Sequence, residues 1–368
     1  MGGLAVTRPQ ALAWRLARHL LDPVGDASVV EVVRRLGAVP TMDGAKAELA
    51  VRTRRRDSAP GELAAAVDAG DLVQVFAFRG AVHVLAPDDA GAYLALRGAG
   101  RQWELRSWQE HYRLGPADWP PLLDAVHDAL ADGPLTLPEL GAAVTRHRRF
   151  RHLRPTFEDG AGTLMKPLTW QGAMGFGPRR AGRPTFQRLD RATGWAGIWD
   201  VEEAGRYCVT AYLGAYGPAT AQHVRSWLGG GLSAGSRRIE RWLDEVSDRL
   251  VTVEVGGEPA LVLAEHADAL ARAEPSEAVR LLPGHDQWVM GPGTKDEHVV
   301  PPGLRQAVTR KADLVVVGGV VRGTWAVRGG SLVVTWGPDG GRAPEDALAE
   351  QVERLSGLLD RPLTLSVE

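Results

Sequence analysis

The sequence predicts an α+β chain in which three tandem units, each a few short helices followed by a β-hairpin, precede a small β-rich, barrel-like domain. Three observations carry this expectation. A helix-capping pattern occurs three times, hairpin-like strand pairs follow the helices, and after Pro275 the texture turns Gly-rich and β-rich. A length of 368 residues, 44% hydrophobic and 24% charged, suits two or three units that each bury a core, and excludes both a disordered chain and a disulfide-stapled mini-protein.

The repeated pattern is a glycine, a Ser or Thr three residues on, and apolar residues seven and eleven after the glycine. It reads Gly25, Ser28, Val32, Leu36, then Gly133, Thr136, Leu140, Val144, then Gly217, Thr220, Val224, Leu228. The hydroxyl accepts a first-turn N–H and the apolar pair shares one helix face, so each copy predicts a turn, a cap and a short packed helix. Around the first copy, helices are expected near 10–22, 27–37, 44–56 and 60–69, then strands at 72–78 and 81–86 joined by Arg79-Gly80. The second lies between helices near 118–131 and 160–173 and leads to short strands near 173–177 and 184–189. The third is flanked by helices at 206–216 and 236–250, and strands 250–255 and 259–264 turn around Gly256-Gly257. Helices followed by a two-stranded wing describe a winged helix, a helix-turn-helix relative that usually binds nucleic acid. The expected boundaries are 8–90, 91–195 and 205–270 for the three winged helices and 276–368 for the last domain, whose strands are interrupted by one helix near 343–359.

The net charge of -2 conceals an asymmetry. Between 141 and 190, Arg146, Arg148, Arg149, Arg151, Arg154, Lys166, Arg179, Arg180, Arg183 and Arg188 face only Glu158, Asp159 and Asp190, whereas 241–368 holds 13 basic and 20 acidic residues. Phosphate neutralisation needs local rather than net charge, so a basic stripe beside an acidic region fits a polyanion-binding protein with a non-binding face. The single cysteine, Cys208, excludes an internal disulfide and a multi-thiolate zinc site, and it reads as a small buried hydrophobe in a reducing compartment. With no signal-peptide-like or membrane-spanning run, the chain is expected to be soluble and cytoplasmic, with no membrane partner.

Five segments occur in an order that resembles a known family: Leu36-Gly-Ala-Val-Pro-Thr-Met-Asp-Gly-Ala-Lys-Ala-Glu-Leu-Ala-Val-Arg, Arg79-Gly-Ala-Val-His-Val-Leu, Leu164-Met-Lys-Pro-Leu, Tyr212-Leu-Gly-Ala-Tyr-Gly-Pro-Ala-Thr, and Leu281-Leu-Pro-Gly-His-Asp-Gln-Trp-Val-Met-Gly. Together they resemble the tandem winged-helix proteins of the AlkZ/YcaQ type, the azinomycin-resistance and crosslink-repair DNA glycosylases. The resemblance spans nearly the whole chain. It implies a protein that grips duplex DNA and hydrolyses the N-glycosidic bond of alkylated, bulky-adduct or crosslinked purines, in base excision repair or in self-resistance to a genotoxic metabolite. It implies no metal and no other cofactor. The family's Gln-x-Gln or Gln-x-Asp triplet aligns without gaps to Pro40-Thr41-Met42, so both signature side chains are missing here.

An alkylated purine is cationic and already a good leaving group, so catalysis needs mainly an oxocarbenium-like sugar stabilised and one water positioned. Thr41 and Asp43 are the catalytic candidates, a polar-x-acid pair flanking Met42, and a cap at the start of the next helix is the competing use of either side chain. For DNA contact the candidates are Lys46, Arg52, Arg54 and Arg55 after this loop, Arg146, Arg148, Arg149 and Arg151 in the second unit, and Lys166 in the family-like Leu-x-Lys-Pro element. No lysine stands in the loop as a Schiff-base nucleophile, so a monofunctional, monomeric enzyme on damaged double-stranded DNA is expected, with a catalytically silent DNA-damage binder as the alternative. Trp103, Trp108 and Tyr112 are expected in a core rather than in a base-stacking platform, His147 and His152 lie among arginines that oppose a metal cation, and neither Gly229-Gly-Gly nor His83 receives a chemical role.

Overall fold

All three copies of the Gly-x-x-Ser/Thr pattern start a helix in the computed structural model, which describes residues 4–368. The helices are Val29–Leu36, Leu137–Val144 and Ala221–Val224, and each begins in a capping box. Ser28 Oγ accepts the Glu31 N–H at 3.2 Å while Glu31 accepts the Ser28 N–H at 2.7 Å. Glu139 accepts the Thr136 N–H at 2.8 Å, and Thr220 Oγ1 accepts the His223 N–H at 3.2 Å. Each box satisfies N–H groups that the first helical turn leaves without intrahelical partners. The apolar pairs Val32 and Leu36, Leu140 and Val144, and Val224 and Leu228 are all buried. The third helix widens after one turn into the π-helical segment Arg225–Gly231.

The chain divides into two units, one from residues up to 63, 209–227 and 243–368, the other from Ala64–Cys208 and Leu228–Trp242. In the first, strands Leu250–Val255 and Glu258–Leu263 form an antiparallel hairpin, and Ala5–Val6 adds to it in parallel, Ala5 opposite Glu254. Gly256 and Gly257 make its turn at φ +56 and +88, where a residue with a Cβ is strained. In the second unit, hairpin Val73–Phe76/Val82–Leu85 joins hairpin Gly175–Arg180/Arg183–Gln187 through Gln74 and Phe176, and Leu135–Thr136 pairs with the outer strand of the latter. The expected hairpins are therefore present, and the first two share one sheet. Trp103 packs 6.0 Å from Trp119 and 6.4 Å from Trp170 and Tyr112 is buried as well, so these aromatics serve the core.

The last domain is not the expected barrel. Its five strands form an open sheet in the order Val279–Leu282, Asp313–Val317, Val320–Arg328, Ser331–Trp336 and Thr364–Val367, with only the last pair parallel. The reason lies in the continuous run Asp313-Leu-Val-Val-Val, which is apolar at consecutive positions and so must be covered on both faces. Val315 faces Leu348, Val352, Leu355 and Leu358 of the helix Glu345–Leu359, while Leu314 and Val316 face Leu12, Leu16 and Leu21 from the N-terminal region. A small closed barrel would bury one face only. Among the described residues no helix is long and apolar enough to cross a membrane.

Candidate active site

The segment aligned with the family triplet is a short, tightly anchored loop. The helix Val29–Leu36 ends on Gly37 at φ +75, a left-handed cap position, and the Tyr216 hydroxyl donates to the Leu36 carbonyl at 2.7 Å. Ala38 and Val39 are fully buried, Pro40 and Thr41 half-buried, and Met42 and Asp43 exposed. Met42, 62% exposed, is the most exposed large apolar side chain among the described residues. Asp43 is the N-cap of the helix Gly44–Arg52, its Oδ1 accepting the Lys46 N–H at 3.2 Å. The capping role anticipated for this position is thus occupied. It engages Oδ1, and the side chain remains at the surface.

The basic residues after the loop behave differently from what their spacing predicts. Arg54 has no exposed side-chain surface: its guanidinium donates to Asp286 at 2.7 and 2.8 Å and to the Ala50 carbonyl at 2.6 Å. Arg52 is buried, donating to the Leu358 carbonyl at 2.6 Å and to Ser58 Oγ at 3.2 Å. Arg55 pairs with Glu62 and donates to the Ala27 carbonyl at 2.8 Å. These three do not form a DNA-facing stripe; they brace the interior, because the helix ends at Arg52 and the chain then turns inward. Lys46 is half-buried, its ammonium 2.6 Å from Asp313 Oδ1, which also accepts the Gly284 N–H at 2.6 Å. Asp286, the partner that sequence reasoning missed, stands in the His-Asp-Gln-Trp run already singled out, and an acid inside an otherwise apolar stretch was the available signal.

The remaining DNA-contact candidates lie in the second unit. Arg146, Arg148 and Arg151 are exposed around the turn Arg148–Leu153, whereas Arg149 is held by Asp118 at 2.7 Å and by the Ala117 carbonyl at 3.0 Å. Lys166 lies over the hairpin turn, its Nζ 3.1 Å from where a Cβ on Gly80 would stand and 5.9 Å from the Phe76 ring. Burial pushes His83 down to about 4 and the Cys208 thiol well up, so the imidazole is neutral and the sulfur inert at neutral pH. No cluster of three or more His, Cys, Asp or Glu able to hold a metal occurs among the described residues.

Two of the concavities in the first unit differ in their bearing on the nominated residues. One, of about 450 Å³, lies between Arg15, His223, Glu258 and Asp296 and includes none of the nominated residues. The other is a crevice of about 20 Å³ whose wall includes Pro40 and Lys46 on one side and Gly284, His285, Asp286 and Gln287 on the other.

A surface loop with a helix-capping acid, followed by an anchored lysine, thus sits on an α+β scaffold of short capped helices and hairpins. The chain belongs to the AlkZ-like DNA glycosylase family, whose description "DNA glycosylase AlkZ-like" matches residues 33–358. It is 36% identical, over 97% of its own length and 98% of the relative's, to the "Interstrand DNA cross-link repair glycosylase" of Streptomyces sahachiroi. Its fold matches the solved Streptomyces sahachiroi DNA glycosylase AlkZ with a TM-score of 0.92 at 33% identity, covering 99% of this chain and 100% of the other.

Proposed function

We propose that this chain is a monofunctional glycosylase acting as a monomer on damaged double-stranded DNA, hydrolysing the N-glycosidic bond of alkylated, bulky-adduct or crosslinked purines, in a self-resistance or repair role. On this reading 8–90, 91–195 and 205–270 are three winged helices and 276–368 is the C-terminal domain. The observation that carries the proposal is kinship with a crosslink-repair glycosylase along essentially the entire chain. Loop chemistry supports it: the cationic purine leaves with the bond electrons, and the Asp43 carboxylate stabilises the oxocarbenium-like sugar left behind. Thr41 offers a hydroxyl two residues away to orient the nucleophile. Lys46, neutralised by Asp313, is a charge at the edge of the site rather than an amine free to form a Schiff base. Arg146, Arg148, Arg149, Arg151 and Lys166 supply phosphate contacts that position duplex without reading its sequence.

The test is single-turnover release of 7-methylguanine and of a bulky N7-guanine adduct from end-labelled duplex. Release by wild type supports the enzyme. Salt-sensitive binding with no release of either base, under conditions where an authentic glycosylase works, rejects it in favour of a silent damage binder.

A further inference from the structure

Hydrolysis of a glycosidic bond needs one water held and relieved of a proton. In this chain neither Pro40 nor Met42 has a side chain that can do so. The crevice behind Pro40 is large enough to hold that water, since a volume of about 20 Å³ accommodates a single molecule. Its polar wall comes from the other end of the sequence, from the turn Gly284-His285-Asp286-Gln287. We propose that His285, in the crevice it shares with Pro40 and Lys46, is the general base of this enzyme, taking over the water-handling role of the missing triplet. The inference rests on the glycosylase reading and adds the identity of the base.

The backbone holds His285 in place. Its φ of +63 lies in the left-handed region, which His adopts more readily than most residues with a Cβ. The neighbouring residues fix the turn on both sides. Gly284 donates to Asp313 at 2.6 Å, and a Cβ there would meet the Lys311 carbonyl at 2.1 Å, so the chain approaches that strand as only glycine allows. Asp286 is locked by Arg54 and accepts the Trp288 N–H at 2.7 Å, starting the helix Gln287–Met290. Charged groups at this turn include Lys46 from the helix Gly44–Arg52, Asp313 from the neighbouring strand, and Asp286 within the turn itself; Lys46 is matched by Asp313 and Asp286 by Arg54. In the step itself the C1′–N bond breaks and its electron pair neutralises the purine cation. Water forms the C1′–O bond, and its proton passes to the imidazole, leaving free base and an abasic sugar hemiacetal.

The experiment compares wild type, His285→Asn and His285→Gly in single-turnover release of 7-methylguanine from duplex at saturating protein, from pH 5 to 8.5. Asn and Gly both accept the left-handed backbone, so neither variant forces the turn to refold, and a thermal melt checks that. The expected result is a rate loss on the order of 10²- to 10³-fold in both variants with duplex affinity unchanged. In wild type the rate falls towards the acid end of this range, where a general-base imidazole gains its proton, and this limb disappears in His285→Asn. Added imidazole restores part of the rate to His285→Gly. A His285→Asn rate equal to wild type, or a loss that leaves the acid limb intact, overturns the assignment while the glycosylase reading stands. No release by wild type rejects the glycosylase reading and His285 with it.

Discussion

Arg54 and Asp286 form a two-pronged ion pair, 2.7 and 2.8 Å long, in which neither side chain retains any exposed surface. The pair ties the chain just after the helix Gly44–Arg52 to the turn that carries His285, so the two walls of the small crevice are bolted together behind the site. Removing one partner leaves a buried charge uncompensated. Asp286→Ala is expected to destabilise the protein by about 3–5 kcal/mol, measured by urea unfolding. The double variant Arg54→Met/Asp286→Leu should lose clearly less than the sum of the singles, and simple additivity would contradict this account.

Asp43 has a structural duty and a proposed chemical one, and the two can be separated. Asn caps a helix about as well as Asp, so Asp43→Asn should leave the melting temperature nearly unchanged, whereas Asp43→Ala should cost about 1 kcal/mol. If the exposed carboxylate stabilises the cationic sugar, base release falls in both variants alike. Activity that tracks the stability ranking instead would reduce Asp43 to its cap.

The exposed arginines of the second unit should report in the salt dependence of duplex binding. Replacing Arg146, Arg148 and Arg151 together by Gln is expected to flatten the slope of log Kobs against log salt by roughly 2–3, at about 0.9 for each phosphate no longer neutralised. Arg149→Gln should change it less, because that guanidinium is already matched by Asp118 at 2.7 Å. Equal effects from Arg149 and its neighbours, seen in fluorescence anisotropy across a salt series, would argue against this division of labour.

Glu139 makes a further pH-dependent contribution. Hydrogen bonds from the Thr136 hydroxyl and backbone, with Arg180 beyond them, pull its carboxyl down to about 2. A carboxylate held below its unfolded value stabilises the fold above pH 4.5, and that contribution disappears as pH falls through 2. Chemical denaturation between pH 5 and 2 should therefore show a shallower decline for Glu139→Gln than for wild type.

Much of this organisation was legible in the sequence because it is written locally. A hydroxyl three residues after a glycine, with apolar residues at helical spacing behind it, needs no distant information, and Ser28, Thr136 and Thr220 all start helices. The hairpins at 73–85 and 250–263 follow from alternating apolar runs around glycine turns for the same reason. What local reading missed depends on partners hundreds of residues away. Arg52 and Arg54 look like a solvated stripe until Leu358 and Asp286 arrive to meet them. The barrel expectation failed likewise, since nothing near Val315 announces that Leu348 and Val352 will cover its face. In the candidate site, Asp43 was nominated from family resemblance and chemistry, but His285 was not, since its proximity to Pro40 exists only in three dimensions.

The parallel pairing of Ala5 with Glu254 sets a schedule for synthesis. The strand that opens the described chain has no partner until about 250 further residues have been made, roughly 10–50 s at ordinary ribosomal rates. Throughout that interval Leu12, Leu16 and Leu21, whose packing partners Leu282, Leu314 and Val316 emerge later still, remain uncovered on the nascent polypeptide. The segment Ala64–Cys208, by contrast, holds most of its own unit and has been translated before the third hairpin begins. The unit built mainly from Ala64–Cys208 thus has most of its partners early, while the early helices, and with them the Pro40 loop, are the part of the newborn chain whose core is completed last.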